Sequence, residues 1–266
     1  MSKRQILLTN DDGIGSPGLW AAAEALSALG YVTVVAPRQQ SSGMGRSLPN
    51  TSDGIITEEI VQIRGQSWKV YSVGGSPAQA VLHGILEIMS QPPHLVVSGI
   101  NYGENVGLGV TISGTIGAAL EAAALGYPAL AVSLETDARY HLSHSTDVDF
   151  SAAAHFTALF ARILLEKRLP FDVDVLKVDV PSDASPQTPW EWTRLARQRY
   201  YEPVPPRRNS WSEPAKVGYV ERAVLDGDEN SDVYVLRKKR HVAVTPLSLD
   251  LTSRVDLKEL ERWFNG

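Results

Sequence analysis

A recurring succession of apolar run, helix and second apolar run restricts this chain more than any other feature. Ile6–Thr9 reads as a short buried strand. Ser16-Pro17 then opens a helix carrying Leu19, Ala22, Leu26 and Leu29, Gly30 ends it, and Val32–Pro37 is the next strand. Strand, helix, strand at this spacing is a βαβ unit, which sets strands parallel. The pattern returns three times. Ser76-Pro77 opens a helix with Val81, Leu82, Ile85 and Met89 on one face before the strand His94–Gly99. An alanine-rich helix, Thr115–Leu125, precedes Ala129–Ser133, and the helix Phe150–Lys167 precedes Val173–Pro181. Between the second and third core strands lie a long Ser/Gly-rich loop, Arg38–Gly54, and a hairpin of Ile55–Ile63 with Trp68–Val73 turning at Arg64–Ser67.

After Pro181 the alternation stops. Strand-like pieces at Glu191–Arg194, Lys216–Leu225, Val233–Arg237 and Val242–Thr245 precede a short helix, Val255–Phe264. The expectation is an α/β fold with a mostly parallel sheet flanked by helices over residues 1–189. Residues 190–266 read as a β-rich extension with a C-terminal helix and not as an independent domain.

With 266 residues, 43% of them hydrophobic and 21% charged, the chain can bury a sizeable core and does not read as disordered. A net charge of −5 argues against nucleic-acid binding by electrostatics, and the basic run Arg237–Arg240 reads as a solvated turn. There is no cysteine, so disulfides, thiolate catalysis and cysteine-bound zinc are excluded. No apolar run approaches the roughly 20 residues that cross a bilayer, and MSKRQILLTN turns polar too soon for a signal peptide. A cytoplasmic protein without membrane contact is expected.

The first strand ends in two adjacent carboxylates, Asp11 and Asp12. Like charges side by side are unfavourable unless something positive lies between them. In an open parallel sheet, ligands bind outside the carboxyl ends of the strands. That edge gathers Asn10, Asp11, Asp12 and Gly13 with Ser41, Ser42 and Gly43 and with Gly99, Asn101, Gly103 and Asn105. Carboxylate, hydroxyl and amide oxygens suit a hard cation such as Mg²⁺, Mn²⁺ or Ca²⁺. Ser113-Gly114-Thr115 begins a helix, where free N–H groups and the helix dipole can seat a phosphate. A phosphate seat beside a Lewis acid suggests phosphoryl hydrolysis by a water that the metal activates, with a carboxylate accepting its proton. Of the six histidines, His141 and His144 flank a polar loop that could line a pocket mouth, and none forms a recognisable phosphohistidine context.

LLTNDDGI, VVAP followed by SSGMGRS, GGSPAQAV, VVSGINYGENVG, SGTIGAALEA, LKVDVP and VAVTPL occur in that order between Ile6 and Leu247. Together they resemble the SurE family of metal-dependent nucleotidases. The resemblance implies a Rossmann-like α/β core with a C-terminal arm used in oligomer contacts, as a homodimer or homotetramer. It implies hydrolysis of nucleoside monophosphates, 5′ and often 3′, with short polyphosphate a further substrate of some relatives. The family's ligands for one divalent ion, Mg²⁺ or Mn²⁺, fall on Asp11, Asp12, Ser42 and Asn101, with Asp11 or Asp12 doubling as general base. Phosphate contacts fall on Ser113, Gly114 and Thr115, with Asn10 and Gly43 beside them. Three positions depart from the family pattern: Gln79 stands for its usual Asp, Ser76 for its Thr, and Arg46 for a small polar residue or His.

Other functions fit less well. A signalling receiver module also binds Mg²⁺ through paired acids, but it needs a phospho-accepting Asp where this chain has Asn101. A haloacid-dehalogenase-type phosphatase separates its two Asp by one residue, whereas Asp11 and Asp12 are adjacent. The remaining alternative is a noncatalytic nucleotide-binding module, although no GxGxxG follows the first strand.

Overall fold

A computed structural model describes residues 4–63, 65–141, 143–222 and 227–266. Arg64 of the anticipated hairpin turn and the last residues of the expected strand Lys216–Leu225 lie outside the described residues. The first half runs β1 (Gln5–Thr9), α1 (Pro17–Ser27), β2 (Tyr31–Pro37), β3 (Ile56–Ile63), β4 (Gln66–Val73) and α2 (Pro77–His83). Next come β5 (Leu95–Tyr102), α3 (Gly114–Ala124), β6 (Ala129–Leu134), α4 (Ser151–Glu166) and β7 (Val175–Val180). The remainder is β8 (Trp190–Trp192), β9 (Tyr201–Val204), β10 (Gly218–Glu221), α5 (Asp232–Tyr234), β11 (Val242–Leu247) and α6 (Leu257–Asn265).

The central sheet has the order β3-β4-β2-β1-β5-β6-β7-β11-β8. Its five middle strands, β2, β1, β5, β6 and β7, are parallel neighbours, as the βαβ reading requires. Such strands are apolar on both faces because helices cover both. Alternation along β1 sends Ile6 and Leu8 to one layer, with Leu19, Trp20, Phe156 and Phe160 of α1 and α4. Leu7 points the other way, toward Val81 of α2 and Ile116, Ala118 and Ala122 of α3. The alanines of α3 let that helix lie close to the sheet. At α2 the capping box is complete: the Ser76 hydroxyl accepts from the Gln79 N–H at 3.2 Å, while Gln79 Oε1 accepts from the Ser76 N–H at 2.9 Å. The Ser76 and Gln79 departures therefore serve helix capping. Among the described residues no helix is long and apolar enough to cross a membrane.

The last third differs from the expectation at Val233–Arg237. Both β11 and β8 extend the central sheet, β11 antiparallel to β7 and parallel to β8. Among the described residues only β9, which the sequence pattern did not announce, and β10 form a separate antiparallel pair. Val233–Arg237 is helical, not a strand. Ser231 Oγ accepts from the Tyr234 N–H and opens the turn, which buries Val233, Val235 and Leu236 against Val106, Tyr200 and Ala243. Over five residues, apolar positions of this kind do not distinguish a helical turn from a strand. Arg237 and Arg240 are not a solvated turn either. Both grip the carboxylate of buried Glu135, Arg237 at 2.7 Å and Arg240 at 2.6 Å.

This tail is docked onto the loop that follows β5 by two buried acid clusters. In the first, Lys177 Nζ donates to Asp179 and, at 3.1 Å, to Asp232, all three side chains wholly buried. The two carboxylates also accept backbone N–H groups, Asp179 from Asn105 at 2.7 Å and Asp232 from Gly107 at 3.0 Å and Ala196 at 2.9 Å. In the second, the Tyr200 hydroxyl donates to Glu104 Oε1 at 2.6 Å, and Arg237 lies 3.6 Å from the same oxygen. Glu104 Oε2 is buried without a partner, and burial pushes this carboxyl up to about 7.

Removing one partner of a buried ion pair leaves an uncompensated charge. Lys177→Met is expected to destabilise the fold by about 3–5 kcal/mol in denaturant titrations. For Glu104, whose ordinary value is 4.5, the folded protein binds the proton more tightly than the unfolded chain. Its contribution is therefore present below pH 4.5 and is lost as pH rises to about 7. Across that window, wild-type stability relative to Glu104→Gln is expected to fall by up to about 3 kcal/mol, read from melting curves of the two proteins at each pH.

Candidate active site

At the carboxyl edge of the sheet, the loops after β1, β2, β5 and β6 meet around Asp11 and Asp12. Both are buried, 3% and 1% exposed, and among the described residues neither is paired with a lysine or arginine. Asp11 Oδ1 accepts the Thr115 hydroxyl at 2.5 Å, and the N–H groups of Gly114 and Thr115 also face this carboxylate. Gly114 is required here: a Cβ would stand 2.8 Å from Asp11 Cβ and 2.9 Å from Asp11 Oδ2. The N-terminus of α3, which the sequence reading assigned to phosphate, thus receives Asp11. Ser113 Oγ is likewise engaged, accepting the Ile116 N–H at 3.1 Å as the helix cap.

Asp12 Oδ2 accepts the Tyr102 N–H at 3.1 Å. Its Oδ1 is buried and has no hydrogen-bond partner among the described residues. The Asp12 carbonyl accepts from His144 Nε2 at 2.8 Å, so one of the two pocket-mouth histidines holds the site's backbone. Burial pushes both carboxyls above their usual range, Asp12 well above it, with the neighbouring charge of Asp11 the second cause.

Asn101 reaches this edge because the β5–β6 register shifts between Ser98 and Asn101. Its Nδ2 donates to the Gly103 carbonyl at 2.6 Å, so Oδ1 is the atom left for another partner. Gly103 has φ +93°, and a Cβ there would stand 2.5 Å from His141 Nε2. Ser42 lies on the exposed loop after β2, its Oγ accepting Gln40 Nε2 at 2.5 Å. Beside it Gly43 has open space where a Cβ would be. Asn10 is turned inward, its amide exchanging hydrogen bonds with the Gly13 carbonyl at 3.0 Å and N–H at 3.2 Å. Arg46, the third departure, is committed to Glu121 of α3 at 2.6 Å.

The sequence reading did not single out Gln40, Glu104 or Tyr200. A polar pair, Gln39-Gln40, directly before the Ser-rich turn was the available signal for Gln40. Nothing local marked Glu104, because its partners lie in the tail.

Among the described residues no three His, Cys, Asp or Glu side chains are grouped to hold a metal. A cation here would rest on two carboxylates and neutral oxygens, a donor set fit for a hard ion. The orphaned, buried Asp12 Oδ1 fits that requirement.

The family model of survival protein SurE matches residues 6–202. The 5′-nucleotidase SurE of Thermococcus gammatolerans is 44% identical over 262 residues, covering 98% of this chain and 96% of that protein. The 5′-nucleotidase SurE of Archaeoglobus fulgidus is 42% identical over 263 residues, covering 98% of each. The crystal structure of SurE protein from Aquifex aeolicus matches with a TM-score of 0.75 at 31% identity, over 98% of this chain and 99% of that one. By sequence, fold and the motifs that build its carboxylate edge, the chain belongs to the SurE family.

Proposed function

We propose that this chain is a metal-dependent 5′-nucleotidase, a phosphoric monoester hydrolase that releases phosphate from nucleoside monophosphates. The observation that carries this reading is the buried Asp11–Asp12 pair with one carboxylate oxygen lacking a hydrogen-bond partner among the described residues. Asp11, Asp12, Ser42 and Asn101 would hold one divalent ion, Mg²⁺ or Mn²⁺. When bound, such an ion polarises a phosphoryl oxygen and lowers the pKa of water.

The chain's own groups supply the rest. Asp11 is held by Thr115 and by the N-terminus of α3, which stabilises its charge. Asp12 is the better placed of the two to take a proton, since Asp11 already accepts the Thr115 hydroxyl and the N–H groups of Gly114 and Thr115. The phosphoryl group lies between Ser42–Gly43 and the turn Ser113–Thr115, where open space at Gly43 admits a close approach to backbone. There the field of α3 acts on phosphoryl oxygens and on Asp11 together. Assembly as a homodimer or homotetramer would use the arm within residues 190–266, where Leu257, Trp263 and Phe264 of α6 are exposed. The noncatalytic alternatives have no observation in their favour.

Phosphate release from a panel of nucleoside 5′- and 3′-monophosphates, with Mn²⁺, Mg²⁺ or EDTA, tests the activity. Turnover is expected with metal, is abolished by EDTA, and falls at least about 10³-fold in Asp12→Asn. Folded, metal-loaded protein that releases no phosphate from any of them would sink the reading. Binding to the folded state raises the melting temperature by mass action. Mn²⁺ is therefore expected to raise the melting temperature of wild type, and not of Asp12→Asn; Asn101→Ala should retain only part of the shift.

A further inference from the structure

The four oxygen-bearing side chains assigned above are unequal. Asp11, Asp12 and Asn101 are buried, whereas Ser42 is exposed on a loop. A serine hydroxyl is a neutral donor to a cation, and an unrestrained one distributes over staggered rotamers. It contributes to a site only if something holds it. One amide does so: Gln40 Nε2 donates to Ser42 Oγ at 2.5 Å and to the His141 carbonyl at 3.3 Å. Gln40 Oε1 in turn receives the Ser42 N–H at 3.4 Å, which closes a small ring around Ser42. The same amide faces the Asp12 carboxylate.

Gln40 can hold Ser42 because its own backbone is held. The Ser41 N–H donates to the Asp11 carbonyl at 2.7 Å and the Ile14 N–H to the Pro37 carbonyl at 3.0 Å, so the loop after β2 is stitched to the loop after β1 on both sides of residue 40. Gly13 lies against the Gln39–Gln40 backbone, where a Cβ would stand 3.2–3.4 Å away. Through one side chain the loops after β1, β2 and β6 are joined next to the carboxylates.

We infer that Gln40 is a positioning residue for the cation: its amide occupies one lone pair of Ser42 Oγ and turns the other toward the space bounded by Asp12 and Asn101. This rests on the ligand reading proposed above. Groups that orient a metal's ligands affect affinity about 10–100-fold when removed. Gln40→Met keeps the side chain's length and removes its donor, so it isolates the hydrogen bond from the packing.

The experiment is Mn²⁺ titration calorimetry on the full chain, comparing wild type, Gln40→Met, Ser42→Ala and the double variant, with metal-free melting curves alongside. Gln40→Met is expected to bind Mn²⁺ about 10-fold more weakly or worse, at an unchanged metal-free melting temperature. Ser42→Ala is expected to bind more weakly too, and the double variant no more weakly than Ser42→Ala, because Gln40 acts through that hydroxyl. Wild-type or tighter Mn²⁺ binding by Gln40→Met overturns the inference, as do losses that multiply in the double variant. A Ser42→Ala protein that binds Mn²⁺ like wild type instead removes Ser42 from the ligand set, a separate outcome that strikes the reading beneath. Gln40→Ala repeats the comparison if Gln40→Met does not fold.

Discussion

Two buried carboxylates on adjacent residues, at the end of a strand no solvent reaches, are the constraint around which the rest of the molecule is organised. Burial and mutual repulsion both oppose their ionisation. The surrounding elements oppose that tendency where they can. The first turn of α3 and Thr115 serve Asp11, and the Tyr102 N–H serves one oxygen of Asp12. The other Asp12 oxygen is left without a partner. Three of the four carboxylate oxygens are thus satisfied, and the fourth is where the cation proposed above would bind. The neighbouring side chains offer carboxylate, hydroxyl and amide oxygens, a donor set that suits a hard cation.

The opening is only as good as the loops around it. The loop after β5, which follows Asn101, is fixed three to six residues beyond it by side chains belonging to distant parts of the chain. Asp179 and Asp232 hold the N–H groups of Asn105 and Gly107, while Tyr200 and Arg237 hold the Glu104 side chain. The chain after Pro181 thus acts on the site without entering it. Its strands β8 and β11 complete the sheet, and its helical turn at Asp232–Tyr234 buries the acid that pins the glycine-rich loop. Glycine-rich backbone of this kind has little packing of its own, and buried ion pairs confer geometry on it where apolar contacts are scarce. The loop after β2 is treated in the same way on a smaller scale, with Arg46 tied to Glu121 and Gln40 to Ser42.

Much of this was legible from residues alone. The middle strands are continuous apolar runs because both faces are covered, and such runs stand out between helices with helical spacing. Ser76-Pro77 announced its helix start, since an N-cap and a first-turn proline are adjacent in sequence. Less local features were not legible. Val233–Arg237 looked extended, and its helical turn follows from a pocket formed by Val106, Tyr200 and Ala243. Arg237 and Arg240 looked solvated because Glu135, their partner, is about 100 positions away. Ser113–Thr115 was read as a phosphate seat, and the first anion it meets is the chain's own Asp11.

From its residues the chain specified a parallel α/β sheet, a carboxylate pair at one strand end and a set of oxygen donors on neighbouring loops, because periodicity and strand-end topology are written in short-range order. Which oxygens are free and which are spent was decided only by tertiary structure. Asn10 is consumed by Gly13, Asp11 is shared with α3, Asn101 keeps Oδ1 by giving its Nδ2 to Gly103, and Asp12 keeps Oδ1 because no described donor comes within hydrogen-bonding distance of it. The physical reason is that hydrogen-bond satisfaction is a property of the assembled environment: each donor is settled by whichever acceptor folding brings within about 3 Å, and sequence spacing does not measure that distance.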